Sequence, residues 1–168
     1  MKKMLLTAFA VVLSHYCFSQ NGNNAIGIGA EFDPLLTHSY SQIYHGGIGG
    51  NVKGLYGIGD AGQLTLTAGY SSFGGKSGVQ YGDQTLSLIP ILAGYRYNWK
   101  GGFYGELQAG AGVLTTKASG FSFSQTDFAA ALNVGYVVDN FDFGVRYYTE
   151  GDVISMFAVR IGYNFSLK

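Results

Sequence analysis

Charged residues are scarce in this chain. Only 12% of its 168 residues are Asp, Glu, Lys or Arg, whereas roughly a quarter is usual. A soluble domain of this length normally covers its surface with more charge, so much of the surface is expected to avoid water. The formal net charge is zero and there is no basic stripe, which removes the electrostatic basis for binding nucleic acid. We therefore predict no nucleic-acid partner.

Cysteine, proline and long apolar runs are also rare. The sequence has one Cys, at position 17, and 2 Pro. No apolar run after residue 19 approaches the roughly 18 residues that a transmembrane helix needs. The mean hydropathy of +0.14 is also too low for a bundle of membrane helices. Strands in which apolar and polar residues alternate fit these observations, because the two kinds average to near zero.

The first residues have the form of an export signal. Two lysines precede an apolar run at 4–13, and Cys17 and Ser19 place small residues before a cut after Ser19. This arrangement predicts a signal peptide over residues 1–19 and a mature domain over residues 20–168, which then has no cysteine for a disulfide. The alternatives are a buried N-terminal helix and lipidation of Cys17, but Tyr16 occupies a position that normally needs a small residue.

Period-two alternation dominates the remaining chain. Val159 and Ile161, for example, share one face of a segment whose other face carries Arg160. Short turns and longer connections alternate between about eight such segments, which is typical of a closed, antiparallel, up-and-down transmembrane β-barrel. The fold class is therefore predicted as all-β, preceded by the signal peptide. The segments are 26–32, 51–58, 64–70, 86–99, 106–113, 128–136, 141–148 and 157–167, and the longer connections are 33–46, 71–84, 117–126 and 149–155.

A soluble β-sandwich also alternates, so the prediction depends on which face forms the core. The polar face combines Gly, Thr, Asn and Gln with charges of both signs, whereas the other face is rich in aromatic and aliphatic residues. The interior of a barrel of about eight strands is just wide enough for side chains to fill it. We therefore expect the polar face to fill the lumen and the apolar face to contact lipid. The predicted lumen charge network is Glu31, Lys53, Arg96, Glu106, Asp142, Arg146 and Arg160.

Aromatic residues make up 15% of the chain and cluster near the segment ends. Two outward-facing aromatic girdles, one at each membrane interface, would explain this clustering. The alternative is that aromatics are simply common in strands. The principal predicted girdle residues are Tyr70, Tyr97, Trp99, Phe103, Tyr136, Phe141, Tyr147 and Phe165, with Phe32, Tyr44, Phe128 and Phe157 added at the end with the longer connections.

The last segment carries a recognisable pattern. Arg160, Gly162, Phe165 and Leu167 follow the order polar, glycine, aromatic, apolar. This pattern resembles the C-terminal signature strand of bacterial outer-membrane barrels, and the whole mature chain resembles the small, Gly- and Tyr-rich OmpA/OmpX-like family. The resemblance implies recognition of these four residues by the barrel-insertion machinery. The family usually ends on an aromatic residue, whereas Leu167 and Lys168 follow Phe165 here.

Motifs that could carry chemistry have simpler explanations in this sequence. Residues 57–62 spell G-x-G-x-x-G, but a strand and not a helix follows, so a hairpin turn explains them better than a dinucleotide site. The spacing of Asp33, His38 and His45 does not favour a metal site, and Glu150 and Asp152 alone are too few for Ca²⁺. We predict no cofactor and no metal, and solvated positions for these residues.

The function predicted from the sequence is a non-enzymatic integral outer-membrane barrel with surface-exposed loops and both termini in the periplasm. Its role would be envelope structure, adhesion or partner binding, with lipopolysaccharide or extracellular ligands at loops that include Lys76 and Lys117. One alternative is a narrow pore for small solutes. Another is a lipid A-modifying enzyme that uses Asp33, His38 and Ser39. A soluble periplasmic barrel with its apolar face inward is a further alternative.

Overall fold

The computed structural model describes residues 24–77, 84–118 and 121–167. The predicted signal peptide at 1–19 lies outside these residues. The described residues form eight strands and one short helix, α1. The strands are β1 (Ala25–Asp33), β2 (Gly47–Ile58), β3 (Gly62–Gly74), β4 (Thr85–Asn98), β5 (Phe103–Ala118), β6 (Phe121–Val138), β7 (Phe141–Glu150) and β8 (Ile154–Ser166), and α1 is His38–Ile43. None of the described helical residues belongs to a helix long and apolar enough to cross a membrane.

All eight strands pair antiparallel with their sequence neighbours, and β8 pairs with β1 to close the barrel. The predicted fold class is therefore confirmed. Paired residues can be followed from Ala25 of β1 across each strand in turn until β8 pairs back with the chain that continues β1. The pairing returns at Leu35, ten residues after Ala25. With ordinary strand rise and spacing, this stagger corresponds to a strand tilt of about 40° and a backbone radius of about 8 Å. Such an interior has room for side chains and little else.

The faces of the strands follow the alternation in the sequence. Phe143, Val159 and Ile161 point outward and are 44%, 55% and 51% exposed, whereas Arg146 and Arg160 are buried inside. Outward apolar side chains form a continuous band around the barrel. Closure pairs the backbone groups of this band between strands, which a lipid environment requires.

The two ends of the barrel differ. At the end called here the turn end, short turns at 59–61, 99–102 and 139–140 join the strands, and Asp139 adopts a positive φ of 53° in a two-residue hairpin. The other end, called the mouth end, carries the segment 34–46 with α1, the described residues 75–77 and 84 between β3 and β4, and the turn at 151–153. Leu167 donates its backbone N–H to the carbonyl of Asn24 at 2.8 Å, so both described chain ends lie at the turn end.

Two of the expected long connections are wrong. Residues 117–126 lie mostly within β5 and β6, and residues 149–155 lie mostly within β7 and β8. The strands continue beyond the predicted segments because residues such as Thr115 and Ser124 still alternate and pair, although they carry little apolar signal. Lys117, expected in a loop, is accordingly an exposed residue of β5. The β5–β6 hairpin therefore projects from the mouth end.

Candidate functional site

Asp142 is the centre of the charged cluster in the turn-end half of the lumen. Its carboxylate accepts hydrogen bonds from Arg96 Nη2 at 3.1 Å and from the Tyr104 hydroxyl at 2.7 Å, and it also pairs with Arg160 Nη2. Asp142 itself is fully buried. The guanidinium of Arg96 lies 3.7 Å from the centroid of the Tyr104 ring. Two arginines and a tyrosine from three different strands therefore meet on one carboxylate of a fourth strand.

Glu106 links this cluster to the opposite wall. Lys53 Nζ donates to Glu106 Oε2 at 2.6 Å, and Arg96 Nη2 approaches the same oxygen at 3.4 Å. Gln108 Nε2 donates to Glu106 Oε1 at 2.9 Å and to Thr67 Oγ1 at 2.8 Å. Buried charges are tolerated only when they are paired and hydrogen-bonded. Each charged side chain of this cluster has an oppositely charged partner, and Arg96 Nε is the one atom of these side chains that is buried without a hydrogen bond within the described residues.

A second, smaller ion pair lies nearer the mouth end. Arg146 Nη2 pairs with Glu31 Oε2, and Asn51 Nδ2 donates to Glu31 Oε1 at 2.6 Å. The structure thus places all seven residues of the predicted lumen charge network in the interior and brings them together as two clusters. Glycines make room for the long side chains, since a Cβ at Gly135 or Gly144 would collide with the phenol of Tyr104.

The mouth-end half of the lumen is filled mainly by apolar side chains, which the sequence did not indicate. Leu86, Leu88 and Leu92 of β4 point inward and are fully buried, together with Phe73 and Met156. The only signal for this was that segment 86–92 is apolar on both faces, because lipid covers one face and the apolar cluster covers the other. Tyr148, Ile154 and Leu114 complete the cluster.

The segment around α1 covers this apolar cluster. Tyr44, expected in an outward aromatic girdle, is only 4% exposed and packs inward, because the chain after α1 folds over the mouth. Its hydroxyl donates to Gln84 Oε1 at 3.2 Å, and Lys76 Nζ donates to the carbonyl of Ser41 at 2.6 Å. Burial raises the pKa of the Tyr44 phenol. Burial, and then the carboxylate of Glu150, raise the pKa of Tyr40.

Two acidic residues expected to be solvated are instead buried. Asp33 is the last residue of β1 and Glu150 the last of β7, and both side chains turn into the mouth-end lumen. Glu150 Oε2 accepts a hydrogen bond from the Tyr148 hydroxyl at 2.8 Å. They were misjudged because the strands extend further than the apolar pattern shows. Within the described residues, no group of three His, Cys, Asp or Glu side chains could hold a metal ion.

The three residues considered for catalysis are not assembled. His38 and Ser39 are exposed on α1, and the His38 ring is hydrogen-bonded to Gln42 one turn later at 2.8 Å. Asp33 is buried in the lumen below them. A hydrolytic site needs nucleophile, base and acid within hydrogen-bond reach, and this geometry does not provide it.

Aromatic side chains ring the outside of the barrel at both ends. At the turn end, the ring centroids of Phe103 and Tyr136 are 4.6 Å apart and those of Tyr97 and Trp99 are 5.5 Å apart. Tyr163, which the sequence reading did not include, contacts both Phe141 and Phe165 there. At the mouth end, the centroids of Tyr147 and Phe157 are 5.7 Å apart, and Tyr70 is 53% exposed.

The C-terminal pattern lies on the strand that closes the barrel. Arg160 points inward, Gly162 pairs with Gly29 of β1, and Phe165 points outward at 49% exposure. Leu167 follows the end of β8 and is half exposed. The pattern therefore combines one lumen contact, one close strand pairing and two outward apolar groups.

A polar cavity of about 360 Å³ opens at the turn end. Asn24, Asn98 and Asn164 are among the residues that line it, and Arg96 of the charged cluster lies against it. The cavity therefore reaches the charged cluster from the turn end.

The closed eight-stranded barrel with an apolar exterior and a filled interior is the architecture of small outer-membrane β-barrels of the OmpA/OmpX-like type. No family model and no curated protein matches the chain. Among solved structures, Ail, the attachment invasion locus protein of Yersinia pestis, is similar with a TM-score of 0.61 and 17% identity, over 88% of this chain and 100% of that chain.

Two further solved structures share the fold. Neisserial surface protein A, NspA, has a TM-score of 0.60 and 18% identity, over 86% of this chain and 97% of that chain. The N-terminal β-barrel domain of Pseudomonas aeruginosa OprF has a TM-score of 0.54 and 19% identity, over 86% of this chain and 100% of that chain. These similarities show the fold, and the predicted resemblance to small outer-membrane barrels is confirmed at that level.

Proposed function

We propose that the protein is a non-enzymatic integral outer-membrane protein whose barrel anchors the mouth end at the cell surface. The outward apolar band and its two sets of aromatic residues support a position across the membrane. With an even number of strands, β1 begins and β8 ends on the same side of the barrel, and Asn24 and Leu167 meet there at the turn end. In this proposal, the turn end faces the periplasm and α1 and the projecting hairpin face outward.

The observation that carries the proposal is the filled lumen. The larger charged cluster occupies its turn-end half, and the apolar cluster under α1 occupies its mouth-end half together with the buried Asp33 and Glu150. A pore would need a continuous water path, whereas the turn-end cavity meets Arg96 of the charged cluster. We therefore favour an anchor over the narrow-pore alternative.

The partners proposed for the mouth end are proteins or envelope components. The Ail structure was solved with a heparin analogue, sucrose octasulfate. The connections and strand ends at the mouth end of the present chain contain only two basic residues with long side chains, Lys76 and Lys117. This sparse positive charge does not favour a sulfated polymer, so adhesion or partner binding here would depend on uncharged surface.

Two parts of the biogenesis remain predictions. Removal of residues 1–19 would release the domain at 20–168. The barrel-insertion machinery would then read Arg160, Gly162, Phe165 and Leu167. The contribution of Phe165 can be tested by Phe165→Ser, which should lower the amount of folded barrel in the outer membrane more than Phe141→Ser does.

Cell fractionation combined with heat-modifiable gel migration tests the localisation and the folded state together. We expect the protein in the detergent-soluble outer-membrane fraction, with different migration before and after boiling. Release from membranes by carbonate would contradict the proposal and favour the soluble periplasmic alternative.

Planar bilayers and lipid analysis test the alternatives. We expect no steady channel conductance, and nanosiemens-scale openings would support the pore instead. Mass spectra of lipid A should be the same with and without the protein. A new or lost acyl chain in those spectra would support the enzyme alternative.

A further inference from the structure

The charged cluster in the turn-end half of the lumen has more positive than negative groups. Three cationic side chains and two carboxylates form it, and each of the five residues is at most 8% exposed. They are Lys53, Arg96, Arg160, Glu106 and Asp142. With all five side chains ionised, one positive charge is left in excess.

The other described carboxylates inside the barrel do not balance this excess. Glu31 is already paired with Arg146 nearer the mouth end, and Asp33 and Glu150 are buried in the mouth-end half. A buried charge without a counter-charge is costly. The cluster is therefore balanced either by an anion from solution or by loss of the proton from Lys53.

The turn-end cavity gives an anion access to the cluster. It has a volume of about 360 Å³, and Arg96 is one of the residues that line it. Both ion pairs of Arg96 use Nη2, and Nε has no hydrogen-bond partner within the described residues. The guanidinium therefore keeps unused capacity to donate hydrogen bonds beside the cavity.

The size and the walls of the cavity indicate a small organic molecule. The volume lies at the lower end of the roughly 300–1,000 Å³ usual for ligand pockets and far above the roughly 30 Å³ of one water molecule. Leu55 and Val137 give the wall apolar surface. Asn24 also lines the cavity, and its Oδ1 accepts the N–H of Gly57 at 2.9 Å, so Nδ2 is its remaining group. The cavity therefore accommodates both an apolar and a polar part of a ligand.

Asp139 is the one carboxylate among the described residues that line the cavity. It is exposed in the turn between β6 and β7, where water and salt screen its charge. It therefore does not cancel the buried excess at Arg96.

We propose that the turn-end cavity binds a small aliphatic monocarboxylate, with its carboxylate at Arg96 and its hydrocarbon part against Leu55 and Val137. One negative charge matches the excess, whereas a dianion would leave an opposite excess in its place. Planar carboxylates also suit the fixed fork of a guanidinium. Binding does not depend on which way the barrel faces, and under the proposed function the cavity opens to the periplasm.

Calorimetric titration of the full chain, refolded in detergent micelles, tests the site. Butyrate is the probe, butyramide is the neutral control of nearly the same shape, and phosphate and chloride are the inorganic controls. We expect saturable binding of one butyrate per chain after subtraction of empty micelles, and a Kd at least tenfold higher for each control. Equal binding of butyramide, equal binding of an inorganic anion, or no saturable binding of butyrate would overturn the proposal.

A pair of lysine variants separates the excess charge from contact with the ligand. Lys53 is not among the described residues that line the cavity, so Lys53→Gln removes the excess and leaves the walls in place. Lys100→Gln makes the same change at an exposed position of the same end. We expect the Kd for butyrate to rise at least tenfold in Lys53→Gln and less than twofold in Lys100→Gln. Equal Kd values in the two variants would overturn the proposal.

A third variant places the counter-charge within the chain. Gln63 lines the cavity and is paired with Arg96 in the ladder between β3 and β4. Gln63→Glu keeps the shape of the side chain and adds one negative charge beside the guanidinium. We expect heat-modifiable migration to persist and the Kd for butyrate to rise at least tenfold. Unchanged butyrate binding in this folded variant would contradict the proposal.

The charge of Lys53 decides between the two ways of balancing the cluster. The ¹³C chemical shift of Lys53 Cε, measured by NMR on the same micelles at pH 7, distinguishes an ammonium group from an amine. We expect the ammonium form when butyrate is bound. An uncharged amine in the presence of saturating butyrate would mean that the cluster has no excess charge, and would overturn the proposal.

Discussion

In both halves of the lumen, the inward-facing side chains of the strands fill the interior. The side chains are mainly charged or amide groups in one half and mainly apolar groups in the other. In the turn-end half, inward positions carry charged and amide side chains that satisfy one another around Asp142 and Glu106. In the mouth-end half, the inward positions of β4 carry Leu88 and Leu92, and β3 and β8 add Phe73 and Met156. An inward position in a transmembrane barrel therefore does not have to be polar. It has to be filled.

The two fillings should respond differently to damage. Removing one partner from a buried ion cluster leaves a charge without compensation, whereas removing methyl groups from an apolar cluster leaves a cavity. The charged half should therefore be the more sensitive to a single change. The free energy of unfolding, measured by urea titration in vesicles and followed by Trp99 fluorescence, can rank the two halves.

The largest effect is expected for Asp142→Ala. Arg96, Arg160 and Tyr104 would all lose their shared acceptor. The buried guanidinium of Arg160 would lose its salt bridge, and Arg96 would keep only the longer contact with Glu106. We expect the free energy of unfolding to fall by about 3–5 kcal/mol. Asp139→Asn in the exposed turn is the control, with a change of less than about 0.5 kcal/mol. Similar losses in both variants would mean that the Asp142 cluster does not stabilise the barrel.

The next effect concerns the outward face. Val159→Arg places a charge in the middle of the apolar band and should cost about 2–4 kcal/mol. Asn164→Ala, on the lumen side of the same strand, should cost much less, because the side chain faces the polar cavity at the turn end. Equal losses for the two substitutions would contradict the assignment of the outward face to lipid.

The apolar half of the lumen is tested by Leu88→Ala. This side chain is fully buried in the apolar cluster, so the substitution should leave a cavity and cost about 2–3 kcal/mol, the lower part of the range for Leu→Ala, since the segment around α1 can partly close over it. Leu107→Ala is the matched control on the outward face, where lipid fills the space, and should cost less than about 1 kcal/mol. A larger loss for Leu107→Ala would reverse the assignment of the two faces.

The sequence was sufficient for the strands within the membrane and for their facing. Alternation is strong there because lipid selects one face and the lumen the other, so Val159 outward and Arg160 inward could both be predicted. The inward position of all seven charged residues could be predicted for the same reason. Which of them pair could not be predicted, because the partners Lys53 and Glu106 lie on strands that are not adjacent and meet only across the closed lumen.

The sequence was least informative at the mouth end. The strands there leave the lipid, and outward residues such as Thr115 and Ser124 no longer need to be apolar, so the pattern that marks a strand ends before the strand does. Asp33 and Glu150 were misjudged for this reason. Tyr44 was misjudged for another: its burial depends on how α1 folds over the lumen, and no local pattern encodes that contact.

The smallest effect on stability is expected for Phe121→Ser. Phe121 lies in the part of β6 that extends beyond the closed barrel at the mouth end. Phe121 lies on the same face of β6 as Ala129 and Ala131, but it is 82% exposed because no wall encloses it. Its truncation should change the free energy of unfolding by less than about 0.5 kcal/mol. Phe143→Ser, the same substitution within the lipid-facing band, should cost clearly more. Equal costs would mean that Phe121 is covered in the folded protein, and the apolar filling of the mouth-end half would then extend into the hairpin.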